Sequence, residues 1–196
     1  MQTPSHLLLT GFLANRAQNR SALPLVWWAL LVGSVLPDMP FTILTLLGEA
    51  YFYWFAPLPG VGDNATLMQI MLYLHFDRFF NDPLWIISHN VFHSLLINGL
   101  LIGIGWWAYQ RAVYGGLALF WLAASMQFHT VIDIFTHTSD GPLIFFPLNW
   151  HYRFASPVSY WEGGNFGAYF TIFEYTLDLL LLGYFGWLWW RKKVST

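Results

Sequence analysis

The sequence predicts an all-α fold: a polytopic membrane helical bundle with three long spans and shorter N-terminal helices. Three observations point there. Charged residues make up only 9% of the 196-residue chain, and hydrophobic ones 57%. A soluble domain carries about 25% charged residues, so this chain could not cover a water-facing surface. Its apolar residues gather into runs that match the roughly 20 helical residues needed to cross a ~30 Å hydrocarbon core. Tryptophan pairs such as Trp27-Trp28 and Trp189-Trp190 suit anchors at headgroup level. The length fits one domain, read as a single integral membrane domain over residues 1–196.

In chain order, a first helix is expected over residues 4–17 and a second over 24–36, ended by Pro37-Asp38-Met39-Pro40. An apolar stretch follows at 41–55, interrupted by Gly48-Glu49, and reads as an interfacial or re-entrant piece. Residues 57–82 form a loop with a short helix at 65–74. The three long spans run over 83–109, 112–138 and 165–190. No internal repeat or low-complexity tract stands out.

Cytoplasmic loops retain Lys and Arg. Arg16, Arg20, Arg111 and Arg191-Lys192-Lys193 can share one side if the long helices alternate. That side is expected to be cytoplasmic, with loops 57–82 and 139–164 facing outward, although Arg78 and Arg153 fall on the outer side. The N-terminus lacks the basic start and cleavage site of a secretory signal and is expected to be mature. The net charge of −2 gives no basic surface for nucleic acid. The absence of cysteine excludes disulfides and thiolate metal sites.

Ionisable residues inside spans cost about 2.5–3.5 kcal/mol each at mid-membrane, yet here they concentrate. Residues four apart share a helix face, so His89 and His93 point together, as do His129, Asp133 and His137. The two helices are antiparallel. At ~1.5 Å per residue, His93 and His129 both lie roughly 15 Å from the same membrane face. Asp38, His6 and Glu174 reach that layer from three further segments. Imidazole and carboxylate suit zinc, manganese or iron when no thiol is present. His129 and His137 are separated by about 12 Å along the axis, too far for one ion. One principal site at His129 and Asp133 is expected, with His137 at a second ion or behind the first. The alternatives are ordinary: a His–Asp hydrogen bond between packed helices, Asp38 as a helix-ending turn residue, His6 as an interfacial polar residue, and Glu174 paired between helices. His75 and His151 read as solvated loop residues.

In order, His6, Gly33-x2-Leu36-Pro37-Asp38, His89-x3-His93-Ser94, His129-x3-Asp133 and the Gly141…Pro147 stretch resemble the YdjM-like family. These are bacterial membrane-bound metal-dependent hydrolases, some of them LexA-regulated. The resemblance spans roughly residues 5 to 150. That family is in turn distantly similar to the all-helical zinc-dependent phospholipase C superfamily. The resemblance implies metal positions at His6, Asp38, His93, His129 and Asp133. His89 falls on a histidine that in the family sits one residue further from the second. His137 replaces a proline and would be an added ligand. The second His-x3-Glu pair of the soluble phospholipases is not found. The family also implies a bacterial inner-membrane location, and the orientation read from the basic residues puts the site toward the outer face.

Three functions fit these residues. In the first, a metal-dependent hydrolase acts at the membrane face on a phosphoester, lipid-like or other small substrate. A divalent metal, zinc first, would activate water. Asp140, Glu162 or Glu174 would be the general base. Arg153 would receive a phosphate or anchor at the headgroups, and the aromatic loop 144–160 would line a lipid entrance or cap the helix ends. In the second, an ion transporter, polar residues should continue toward the cytoplasmic face. Residues 97–109 and 113–124 carry almost none. In the third, a non-catalytic metal-binding or structural protein, the polar residues hold helices together.

Overall fold

The computed structural model describes residues 1–194, and among them it is helical with no β-strand beyond isolated bridges. Helix α1 (Thr3–Ala17) begins with a proline in its first turn, where the missing N–H costs nothing. Helix α2 is short (Trp27–Gly33), and turns through Pro37 lead into α3 (Met39–Trp54). The fourth helix, α4 (Leu67–Leu72), opens with a capping box between Thr66 and Gln69. It runs into a π-helical turn (Tyr73–Arg78) and then into α5 (Phe79–Asn81). Next come α6 (Pro83–Asn90), α7 (Leu95–Gln110), α8 (Gly116–Thr136) and the 28-residue α9 (Gly167–Val194).

Helix α8 is the hub. It pairs along its length with α7 and packs against α2 on another side, while α1 joins α2 to α9. Two glycines make the close approaches possible. A Cβ on Gly33 would meet the Leu122 carbonyl at 2.3 Å, and one on Gly105 would meet the Phe120 nitrogen at 2.5 Å. A separate small core forms where Leu58, Ile70, Leu74 and Trp85 meet Phe41 and Phe52.

Several expectations need correction. Among the described residues, only α8 is by itself long and apolar enough to cross a membrane; α6 and α7 qualify as one broken span, bent by 44°. The three long spans expected are thus not confirmed: one helix has the length and apolarity, or two spans if the bent pair counts as one. Helix α9 has the length, but Glu174, Asp178 and its tyrosines, tryptophans and glycines dilute its apolarity. It still presents a row of exposed apolar side chains, among them Tyr169, Ile172, Phe173, Leu179, Leu180 and Trp187. The expected break at Gly48-Glu49 does not occur, because α3 is continuous. Gly48 instead makes room for Leu74 and Trp85, whose atoms would lie 3.1 and 3.3 Å from an added Cβ.

The predicted helix 83–109 breaks at residues 91–94, beside His93. Its freed backbone groups are taken up locally, as buried broken helices require. Asn98 Nδ2 donates to the Phe92 carbonyl at 2.8 Å, and the Ser94 hydroxyl accepts from the Ile97 N–H at 3.1 Å. Ser94 also donates to the Phe146 carbonyl at 2.6 Å, and Asn90 accepts from the Leu143 N–H at 2.7 Å. The break and the outer loop are thus tied together at the depth of the histidines.

Candidate metal centre

Helix α8 supplies His129 and Asp133, one turn apart. Asp133 Oδ2 lies 3.0 Å from His129 Nε2. The α6–α7 break supplies His93, whose Nε2 stands 3.1 Å from His129 Nε2 and 3.3 Å from Asp133 Oδ2. The α2–α3 turn supplies Asp38, with Oδ1 3.3 Å from His93 Nε2 and 3.4 Å from His129 Nε2. One ligand atom from each of the four side chains lies within 4.8 Å of the other three. His93, His129 and Asp133 are buried and Asp38 is partly so.

The far side of each imidazole fixes what the near side can do. His93 Nδ1 meets the His89 carbonyl at 2.7 Å, and His129 Nδ1 meets the Ser34 carbonyl at 2.8 Å. A carbonyl only accepts, so both Nδ1 atoms carry a proton, and in its neutral form each ring offers an Nε2 lone pair inward. Two imidazole lone pairs and two carboxylate oxygens then face one another within contact distance. Such a set is suited to holding a metal ion, and orienting hydrogen bonds of this kind are the usual companions of metal-bound histidine.

The spacing tests the fit. Ligands on a tetrahedral zinc with bonds of 2.0–2.1 Å stand about 3.3–3.4 Å apart. Adjacent ligands of an octahedral ion at that bond length stand about 2.9 Å apart. The five measured edges, 3.0 to 3.4 Å, lie in this range. The residues fit a divalent ion with bonds near 2 Å, without choosing its identity.

The remaining candidates take other places. His6 does not share the inner cluster: its Nε2 bonds Asp133 Oδ1 at 2.9 Å and its ring stacks on His129 at 3.6 Å. It holds the carboxylate from behind, beside the Met1 amine at 3.0 Å. His89 stacks on His93 at 4.7 Å and lines the adjacent cavity. His137 is not on the face of α8, because the helix ends at Thr136 and His137 is extended. The axial separation from His129 expected for a continuing helix therefore does not apply. Its Nε2 comes within 3.8 Å of Asp133 Oδ1.

Asp140 accepts from His137 Nδ1 at 2.9 Å and from Trp161 Nε1 at 3.0 Å. Burial pushes its carboxyl up, but those two hydrogen bonds outweigh it and hold Asp140 below its ordinary value. Glu162 and Glu174 do not line the cavity. Glu162 accepts from the Ser139 hydroxyl at 2.7 Å and pins the outer loop. Glu174 accepts from the Gln2 N–H at 2.6 Å and ties α9 to the N-terminus of α1. Arg153 is not among the residues that line the cavity. It donates to the Gly141 carbonyl and lies over the rings of Phe79 and Phe80, 5.1 and 5.4 Å from their centroids. His75, expected in solvent, lines the cavity instead.

The sequence reading missed three contributors. Ser34 acts through its backbone carbonyl, which no side-chain pattern marks. Thr3 donates to Asp38 Oδ2; its position three residues before His6, on one helix face, is the signal that could have found it. Trp161 reaches Asp140 across 21 residues of loop. No protein-family model matches the chain, and no curated protein or solved structure is significantly similar to it.

Proposed function

We propose that this chain is a membrane-bound, metal-dependent hydrolase of the YdjM-like kind. The observation that carries the reading is the inward-facing set of two imidazole lone pairs and two carboxylates, at ligand spacing, beside a cavity of about 510 Å³. Asp38, His93, His129 and Asp133 would hold the ion, zinc first by donor type. A divalent ion there would lower the pKa of its water toward about 7 and polarise the scissile group. His137 presents Nε2 to the cavity while Asp140 fixes its Nδ1, so His137 is placed to move a proton and Asp140 to orient it.

Membrane residence is part of the proposal. It is supported by α8, by the broken α6–α7 pair and by the apolar outer row of α9. Exposed large apolar side chains in such number, among them Leu179, Leu180, Trp189 and Trp190 on α9, suit a lipid environment. For the location, the family resemblance favours a bacterial inner membrane, and the basic residues favour a site on the outer face.

A non-catalytic, metal-stabilised scaffold is the second reading, and it predicts the same ion without turnover. The test is purification in mild detergent, elemental analysis, and chromogenic ester and phosphodiester substrates, comparing the native chain with Asp133→Ala. Turnover that needs both the metal and Asp133 supports the hydrolase. Stoichiometric metal with no turnover of any substrate supports the scaffold.

A further inference from the structure

The cavity beside the metal centre has two unlike ends. Asp38, Asp133, His137 and Asp140 form the polar end, and Phe41, Met71, Leu72, Phe76, Phe79 and Phe80 form a largely apolar wall, into which His75 and His89 are packed against Phe41. Phe76, on the π-helical turn, and Trp161, on the outer loop, face each other with ring centroids 6.1 Å apart. Outside this pair, α4 exposes Leu67, Met68, Met71 and Leu72. A single-turn π-helix inside helical structure is frequent at functional sites, and here it carries one side of the mouth.

Charge decides what head group fits. Among the described residues, no lysine or arginine side chain lines the cavity. A divalent ion together with the Met1 amine would balance Asp38, Asp133 and Asp140. Among the described residues only the imidazoles of His75, His89 and His137 then remain to meet a dianionic head, and burying a charge without a full partner is costly. Size decides the tail. At roughly 30 Å³ per group, the share of one water, a volume of 510 Å³ holds about 17 heavy atoms. That is a small head and one chain of ten or so carbons.

We propose that the site takes an uncharged, single-chain amphiphile, a fatty acyl ester or amide, which slides in from the bilayer between Phe76 and Trp161. The chain lies along the phenylalanine wall and the acyl carbonyl reaches the Asp38–Asp133 end. The proposal rests on the hydrolase reading for its chemistry. Water adds across the acyl C–O or C–N bond, its hydroxyl going to the acyl carbon and its proton to the departing oxygen or nitrogen. The products are a carboxylic acid and an alcohol or amine.

The test is binding, independent of turnover. Alkyl hydroxamates of two to ten carbons, and alkylphosphonates of the same lengths, are titrated into zinc-loaded protein in nanodiscs. Protein-free discs supply the partition blank. Hydroxamate affinity is expected to rise about two- to four-fold per methylene, with phosphonates at least ten-fold weaker at each length. In Phe76→Ala and Leu72→Asp, both at exposed positions, the gain with length shrinks while the two-carbon probe binds as before. A flat length series, or phosphonates binding as tightly, overturns the proposal. The hydroxamate pattern without turnover of any acyl ester would defeat the hydrolase reading and leave the ligand class standing.

Discussion

Asp133→Asn probes the centre with the smallest change of shape. Asp133 Oδ2 stands 3.0 Å from His129 Nε2 and 3.3 Å from His93 Nε2, so it would occupy one vertex of the ligand set. A structural zinc site binds with about 10–16 kcal/mol over four ligands, so one ligand contributes about 2.5–4 kcal/mol on average. Its loss weakens binding roughly 100- to 1,000-fold. At free metal 1,000-fold above the native Kd, the ion stabilises the native protein by about 4.1 kcal/mol and the variant by only about 0.4–1.4. At about 2–4 °C per kcal/mol for a chain of this size, the metal-dependent rise in Tm should shrink by about 5–15 °C. The measurement is thermal unfolding by tryptophan fluorescence, with and without a strong chelator, paired with elemental analysis. Native protein should lose Tm on chelation and the variant should barely respond. Equal metal content and equal chelator sensitivity in the two proteins would refute the reasoning.

Gly33→Ala places a methyl against the Leu122 carbonyl and pushes α2 from α8. A loss of about 1–3 kcal/mol is expected from overpacking, together with weaker metal binding because the Ser34 carbonyl no longer orients His129; unfolding and metal titration read both. Glu174→Gln and Glu162→Gln should retain native metal stoichiometry, since neither carboxylate lines the cavity, which elemental analysis checks. Asp140 is held below its ordinary value of 3.8, so its contribution to stability is complete above that pH and disappears as pH falls through its folded value. The stability gap between native protein and Asp140→Asn should therefore close in acid, as unfolding of the chelated proteins between pH 6 and 3 would show.

Much of the centre was legible because helix arithmetic is reliable over short distances. The spacing of His129 and Asp133 fixed a shared face, and counting residues inward from the outer ends of the two helices brought His93 to the same depth. The Pro37-Asp38 turn was readable as a helix end, but its proximity to both histidines depends on Gly33 letting α2 reach α8, a tertiary effect. The break at 91–94 was hidden because Asn90, Ser94 and Asn98 look like scattered polar residues until their carbonyl partners are known. His137 was misplaced because the helical period was carried past Thr136, where the chain becomes extended. Glu174 reached the expected layer, but the N-terminus of α1 claims its carboxylate. Gly48 resembled a breaker and proved to be a packing position, a distinction that only its neighbours Leu74 and Trp85 reveal.

X-ray absorption at the metal edge of the purified native protein reaches the centre most directly. The account predicts one divalent ion per chain, with only nitrogen and oxygen neighbours at about 2.0–2.1 Å and the outer-shell scattering of two imidazoles, lost together in His93→Ala/His129→Ala. A protein that folds with no bound ion, or an ion whose shell contains no imidazole, would contradict it.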